Sequence, residues 1–154
     1  MRWNRHVDKA MGPQEQLARD IAMRAHAGCV NSKTGEPYIT HPAHVAACVQ
    51  DDAAKAVAWL HDVVEDTELT LDDLRTAGLD EDVVRGVDGM THRPGEEYLD
   101  FVRRAAADPL ARQVKEADVR HNLDLGRIPC PDERDLERVR TKYLPALRIL
   151  LGRQ

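Results

Sequence analysis

Aromatic residues are scarce in this chain of 154 residues: one Phe, two Trp and three Tyr make up 4%. Alanine, leucine and valine fill the gap, a palette that favours helix–helix packing over a sheet. Cysteines are few as well. Cys29, Cys48 and Cys130 are an odd set of three with no CxxC spacing. That argues against a disulfide framework or a zinc knuckle and fits a reducing cytosol. No basic run or basic–aromatic stripe is present, which argues against nucleic acid as a partner. The opening MRWNRHVDKAMG has no apolar signal core, and no stretch is long enough to span a bilayer. A soluble, cytoplasmic protein with no membrane partner is the expectation.

What is present is enough for a core. Hydrophobic residues make up 42%, and 22 basic against 27 acidic residues give a net charge of -5. That length and burial suit one domain over residues 1–154, with a core of about 14–125 and a C-terminal helix of about 133–152. Pro13 opens a helical pattern that Gly28 stops. NSKTGEPY reads as a loop. Thr40 is placed to cap a helix at His41-Pro42, and Asp51 or Asp52 to cap a central helix from about Ala53 to Val64. Thr70 and Asp73 form a capping-box pattern that ends at Gly78. A helix from Asp80 carries Gly86 and Gly89. Further helices follow over EEYLDFVRRAAA, from Asp108-Pro109 through LARQVKEADVRHNLD, and over DLERVRTKYLPALRILL, the last with a kink predicted at Pro145. No alternating strand pattern appears, so the fold class is all-α, a bundle of seven or eight helices.

The string LHDVVEDT concentrates chemistry in an apolar helical stretch. On a helix His61 and Glu65 share a face, as do Asp62 and Asp66. Acids at a helix end are usually solvated, and a lone histidine at a helix start, like His41, is more often a cap. Here His61 and Asp62 stand one turn before Glu65 and Asp66, with the HP pair upstream and the AD pair of KEADVRHN downstream. His41, His61, Asp62 and Asp118 are therefore the candidate ligands of one divalent ion. Two imidazoles and two carboxylates suit a borderline ion such as Mn2+ or Fe2+ better than a thiolate-seeking one, with Zn2+ as an alternative. Such an ion acidifies a water and neutralises charge on a phosphate oxygen, while Glu65 and Asp66 orient that water and manage its proton. Lys33 and Lys115 are candidate phosphate contacts, although a solvated lysine is the commoner outcome. Asn122, one turn after Asp118, would face the same site. His6, His44 and His92 read as surface or packing residues, and His26 and His121 adjoin the site in sequence. Tyr38 is expected to pack under its loop.

The series AHAG, KTGEPYITHP, WLHDVVEDT, GVDGMT and VKEADVRHN, over roughly Gln14 to Leu125, resembles the HD-domain hydrolase of RelA/SpoT-type alarmone proteins and the small alarmone hydrolases. The resemblance implies an HD-type helical fold with a single Mn2+ held by His41, His61, Asp62 and Asp118. It implies Glu65 and Asp66 as the catalytic acids and Lys33, Thr34 and Asn122 at nucleotide-contact positions. The implied reaction removes pyrophosphate from the 3′ position of guanosine tetra- or pentaphosphate. The chain departs from the family pattern at Cys29, Ser32, Val119 and Leu125. Ser32 stands where the family usually carries an arginine, and serine neither stacks on a base nor carries charge. The ion-binding set is intact while the nucleotide-reading shell has changed. Two alternatives stay open: an HD-type hydrolase of another nucleotide (a nucleotidase or an adenine-alarmone hydrolase), and a non-catalytic nucleotide-binding module. Leu144, Leu147 and Leu150 either pack on the bundle or help form a homodimer; a monomer or a homodimer is expected.

Overall fold

The computed structural model describes residues 10–153; His6 lies outside the described residues. Among the described residues there are ten α-helical segments: α1 Pro13–Ala25, α2 Thr40–Ala47, α3 Asp52–Leu60, α4 Val63–Asp66, α5 Leu71–Ala77, α6 Glu81–Met90, α7 Tyr98–Ala106, α8 Pro109–Leu123, α9 Glu133–Arg138 and α10 Leu144–Leu150. Counting α3 with α4, and α9 with α10, as two interrupted helices leaves eight, as the periodicity predicts. Among the described residues the only β-pairing is an isolated bridge between Val30 and Pro37, which closes the NSKTGEPY loop.

The main core is made of small and branched side chains from α1, α2, α3, α5, α6 and α8, including Ala18, Ala22, Val45, Val57, Leu60, Val84 and Val114. Small residues let the helix axes approach closely. A Cβ on Gly86 would come within 2.6 Å of Val57 on α3, and one on Gly89 within 2.8 Å of Ala111 on α8. The two glycines that weaken α6 as an isolated helix are what seat it between α3 and α8. A second cluster of Val102, Val119, Ala146 and Leu150 docks α10 onto α7 and α8. Leu150 is buried and Leu147 packs beside it, while Leu144 remains exposed.

Several caps follow the sequence. Asp73 N–H donates to Thr70 Oγ1 and Thr70 N–H to Asp73 Oδ2, and Gly78 closes α5 in the left-handed region at φ 109°. Asp108 accepts from the N–H groups of Leu110 and Ala111 at 2.9 Å. Three expectations need correction. Of the two candidate caps of the central helix, Asp51 holds the N-cap position of α3, without a side-chain bond, and Asp52 does not cap its own helix. Its carboxylate accepts from the N–H groups of Gln14 and Glu15, at 3.1 and 2.9 Å, and so caps α1, whose own N-cap is Gly12. Thr40 is not an N-cap: the chain has already turned at Pro37–Tyr38, and the Thr40 hydroxyl donates back to the Pro37 carbonyl at 2.8 Å. The break in the C-terminal helix falls not at Pro145 but before it, as a π-helical turn over Val139–Tyr143. A proline ring clashes with the carbonyl four residues earlier, here that of Thr141, and a widened turn relieves the crowding. No helix of the described residues is long and apolar enough to cross a membrane.

Candidate active site

The central helix does not run through to Val64; it stops at Leu60 and restarts at Val63. The cause is local. His61 Nδ1 lies 2.6 Å from the Ala58 carbonyl, the acceptor that an uninterrupted helix would offer to Asp62 N–H. The interruption turns His61 inward, where it is 1% exposed, and sets Asp62 at the head of the next turn. The bond also assigns the tautomer: Nδ1 carries the hydrogen, and the Nε2 lone pair faces the cavity.

His41, at the start of α2, and Asp118, on α8, meet that nitrogen. His41 Nε2 lies 3.2 Å from His61 Nε2 and 3.0 Å from Asp118 Oδ1. His61 Nε2 is 3.1 Å from Asp62 Oδ2 and 3.8 Å from Asp118 Oδ1. The ligand atoms of His41, His61 and Asp62 all lie within 4.8 Å of one another. Two imidazole nitrogens and two carboxylates thus converge from three parts of the chain. Two facing Nε2 lone pairs cannot bond each other, and a cation between them satisfies both, so this donor set fits a divalent ion.

The electrostatics agree. Burial would lower the His61 pKa, but the Asp62 and Asp118 carboxylates outweigh it and hold the imidazole up at about 9, so without a bound cation a proton occupies Nε2 in its place. Burial would likewise raise Asp62, yet His61 and the Tyr38 hydroxyl bring it down to about 2. Burial would raise Asp118 as well, but the Lys115 ammonium together with His41 and His61 outweighs it and holds the carboxyl well below the usual carboxylate range. The pocket is built for positive charge.

Around these four stand residues that fix them. Tyr38 donates its hydroxyl to Asp62 Oδ2, an assignment beyond the expected packing role. Lys115 is not solvated: it is 5% exposed, donates to Asp118 Oδ2 at 3.1 Å and sits 4.5 Å from the centre of the Phe101 ring. His121 Nδ1 lies 2.7 Å from His41 Nδ1, with its ring stacked between those of His41 and His44. Burial, then the His41 charge, push the His121 pKa down to about 4, so its Nδ1 is free to accept the His41 hydrogen. His26 is buried, packs 4.8 Å from the Tyr38 ring, and leaves Nε2 without a hydrogen-bond partner among the described residues. Tyr38, His121 and the brace on Asp118 escaped the sequence reading. The only signal was their place inside GEPYITHP, ADVRHN and VKEAD. His44 and His92 are exposed, as expected of surface residues.

A cavity of about 360 Å³ opens over the cluster, lined by His41, His61, Asp62, Glu65, Lys115 and Asp118 among others. Glu65 faces it and accepts from His92 N–H. Burial raises the Glu65 pKa against that hydrogen bond. Asp66 does not line the cavity; its pKa is raised by burial and then by the Asp62 charge. Asn122 lines the cavity, and its Nδ2 donates to Asp118 Oδ1 at 3.2 Å. Lys33 and Thr34 stand apart: Lys33 pairs with Asp132 at 3.1 Å and Asp135 at 3.3 Å, while Thr34 lines a neighbouring hollow with His41 and His44.

Residues 18–123 match the family model described as HD domain. A probable GTP pyrophosphokinase of Mycobacterium leprae is 34% identical over 131 residues, 77% of this chain and 16% of that protein. A guanosine-3′,5′-bis(diphosphate) 3′-pyrophosphohydrolase of Haemophilus influenzae is 36% identical over 129 residues, 74% of this chain and 19% of that one. The chain therefore spans less than a fifth of the length of these curated relatives. The solved structure of a metazoan ortholog of SpoT, described as hydrolysing ppGpp, superposes with a TM-score of 0.74 at 24% identity, over 91% of this chain and 86% of that one. That likeness is one of fold. With the family match spanning the loop, both histidine motifs and the late aspartate, the chain belongs to the HD domain family.

Proposed function

We propose that the chain is a metal-dependent phosphohydrolase that releases pyrophosphate from the 3′ position of guanosine 3′,5′-bis(diphosphate). The observation that carries this reading is the convergence of His41, His61, Asp62 and Asp118 under a cavity that Glu65 overlooks. The printed activities of the relatives support the substrate class. In this reading the four residues hold one divalent ion. The mostly oxygen and imidazole donors favour Mn2+ over a thiolate-seeking metal. Bound there, such an ion would supply acidity to a water and counter-charge to a phosphate oxygen.

The residues of the chain do the rest. The Ala58 carbonyl and His121 hold the two imidazoles with their Nε2 lone pairs inward. Tyr38 occupies a lone pair of Asp62 and so fixes which way that carboxylate points. Glu65, its pKa raised by burial, takes the proton of the attacking water. Water adds to the 3′-linked phosphorus, the bond from that phosphorus to the ribose 3′ oxygen breaks, and the oxygen leaves as the hydroxyl once protonated. Asp66 acts from behind this turn by adding negative charge near Asp62 rather than by touching the water. Lys115 neutralises Asp118, and Asn122 steadies the same carboxylate. Lys33 and Thr34 belong to the outer reach of the nucleotide, and Lys33 arrives there only on leaving its acid pair. The three cysteines are exposed and unpaired, which supports a reducing cytoplasm as the place of action.

The test is turnover of the Mn2+-loaded protein with product identification by phosphorus NMR. Pyrophosphate and GDP from guanosine 3′,5′-bis(diphosphate) are expected. Orthophosphate alone sinks the 3′-pyrophosphohydrolase reading in favour of a phosphatase, and faster turnover of the adenine counterpart replaces the guanine substrate. Binding without turnover of any nucleotide leaves a non-catalytic module.

A further inference from the structure

The cavity over the histidine cluster carries three cations, Lys115, Arg127 and Lys142, and they are not equivalent. Lys115 is spent on Asp118. Lys142 also has no carboxylate partner among the described residues, but it is exposed, no hydrogen bond aims it, and it lies 5.3 Å from the Tyr98 ring centre. Arg127, in the 3-10 turn Leu125–Arg127 after α8, is held by two neutral groups. Its Nε donates to the His121 carbonyl at 3.0 Å and its Nη2 to Asn122 Oδ1 at 3.2 Å. No carboxylate lies within ion-pair distance of it among the described residues. It also lines both neighbouring hollows, one with Lys33 and Arg138, the other with Thr34 and His44, so it stands where all three meet.

This changes the reading of Asn122. Its Nδ2 is committed to Asp118 and its Oδ1 to Arg127, so its amide is taken up at both ends. It is a spacer that ties the guanidinium to the Asp118 carboxylate. In the hollow that Arg127 shares with Lys33, that lysine is already neutralised by two acids, and Ser32 beside it in sequence carries no charge. A guanidinium aimed by two neutral acceptors, with its full charge and its Nη1 edge uncommitted, matches a phosphate group.

We propose that Arg127 binds the phosphate group of the substrate that is not cleaved, and so selects nucleotides phosphorylated at both 3′ and 5′ positions. This rests on the reading above, in which the histidine cluster takes the 3′ group. Arg127 is a specificity-determining residue, not one of the reacting set.

The experiment compares guanosine 3′,5′-bis(diphosphate) with guanosine 3′-diphosphate on the wild type, Arg127→Gln, Arg127→Lys and Arg148→Gln, measuring KM, Kd and Mn2+ affinity. Arg127→Gln is expected to raise KM and Kd for the doubly phosphorylated nucleotide about tenfold to a hundredfold. It should leave the singly phosphorylated one nearly unchanged and Mn2+ affinity intact. Arg127→Lys should recover part of the loss, and Arg148→Gln, an exposed arginine outside the site, should match the wild type. Equal losses for both nucleotides, or weakened Mn2+ binding, would make Arg127 a structural brace of Asp118 and overturn the proposal. No change overturns it too. If the wild type binds the nucleotides without turnover, the hydrolase reading falls while the Kd ratio still decides the role of Arg127. If it binds neither, both fall.

Discussion

The floor of the cavity and its outer rim use the same kinds of charged residue but balance them differently. On the floor His41, His61 and Asp118 come from α2, the α3–α4 junction and α8, and their contacts span 20 to 80 positions of sequence. These groups are nearly dry, with His61 1% and Asp118 7% exposed. At the rim Lys33 and Asp132 meet in open solvent, with 39% and 51% of their side chains exposed. Charge interactions are strong where water is excluded and are screened where it is not. The floor is therefore fixed by the fold and tolerates little change. The rim can be rearranged at small cost.

The largest effect should come from breaking the floor. Asp118→Ala removes a proposed ion ligand and leaves the buried Lys115 ammonium alone, a cost on the order of 3–5 kcal/mol. Mn2+ titration and thermal melting should show loss of both the ion and stability. Adding Lys115→Met should restore much of the melting temperature but not the ion; if it restores neither, the pairing of these two residues is not what stabilises α8. Next comes Glu65→Gln, expected to keep Mn2+ affinity and reduce turnover by about 10²–10⁴-fold. Retained turnover would remove Glu65 from the chemistry.

The packing beneath the floor can be probed by Gly86→Ala. Helix propensity alone favours alanine by about 1 kcal/mol. The new methyl meets Val57 at 2.6 Å, and overpacking costs about 1–3 kcal/mol, so net destabilisation is expected in denaturant titration. A stabilised variant would show that α6 and α3 have slack between them. A smaller effect is expected from pH. The folded His121 pKa lies at about 4, below the 6.5 of an unfolded histidine. Between these values the unfolded chain binds more protons, so stability falls as pH drops from about 6.5 to about 4. In chelator-treated protein the melting temperature should fall across that window, and His121→Asn should flatten the slope. Smallest of all is Lys33→Ala at the rim, for which little change in melting temperature is expected, because the buried Asp135 keeps the Asp132 N–H and Arg138 as partners. A clear loss would mean the loop and α9 are clasped more firmly than exposed charges allow.

Much of this was legible because it is local. The Thr70–Asp73 box, Asp108 before Pro109 and the glycine stop at Gly78 each act within one turn, where sequence spacing fixes geometry. HDVVEDT, YITHP and KEADVRHN named the residues that converge, since those side-chain types have few other reasons to sit in apolar helices. What spacing does not encode is how one helix lies against another. Asp52 caps α1 instead of α3, Lys115 is buried against Asp118 and Phe101, and His121 backs His41, because helices far apart in sequence present those partners. Even the break at His61 depends on which acceptor its ring finds once Ala58 is buried. The sequence by itself determined an all-helical chain and the set of groups able to hold a cation. Only the tertiary structure decided their tautomers, their charge balance and which cation is aimed by neutral groups, because these depend on distances and dehydration that arise when the helices pack.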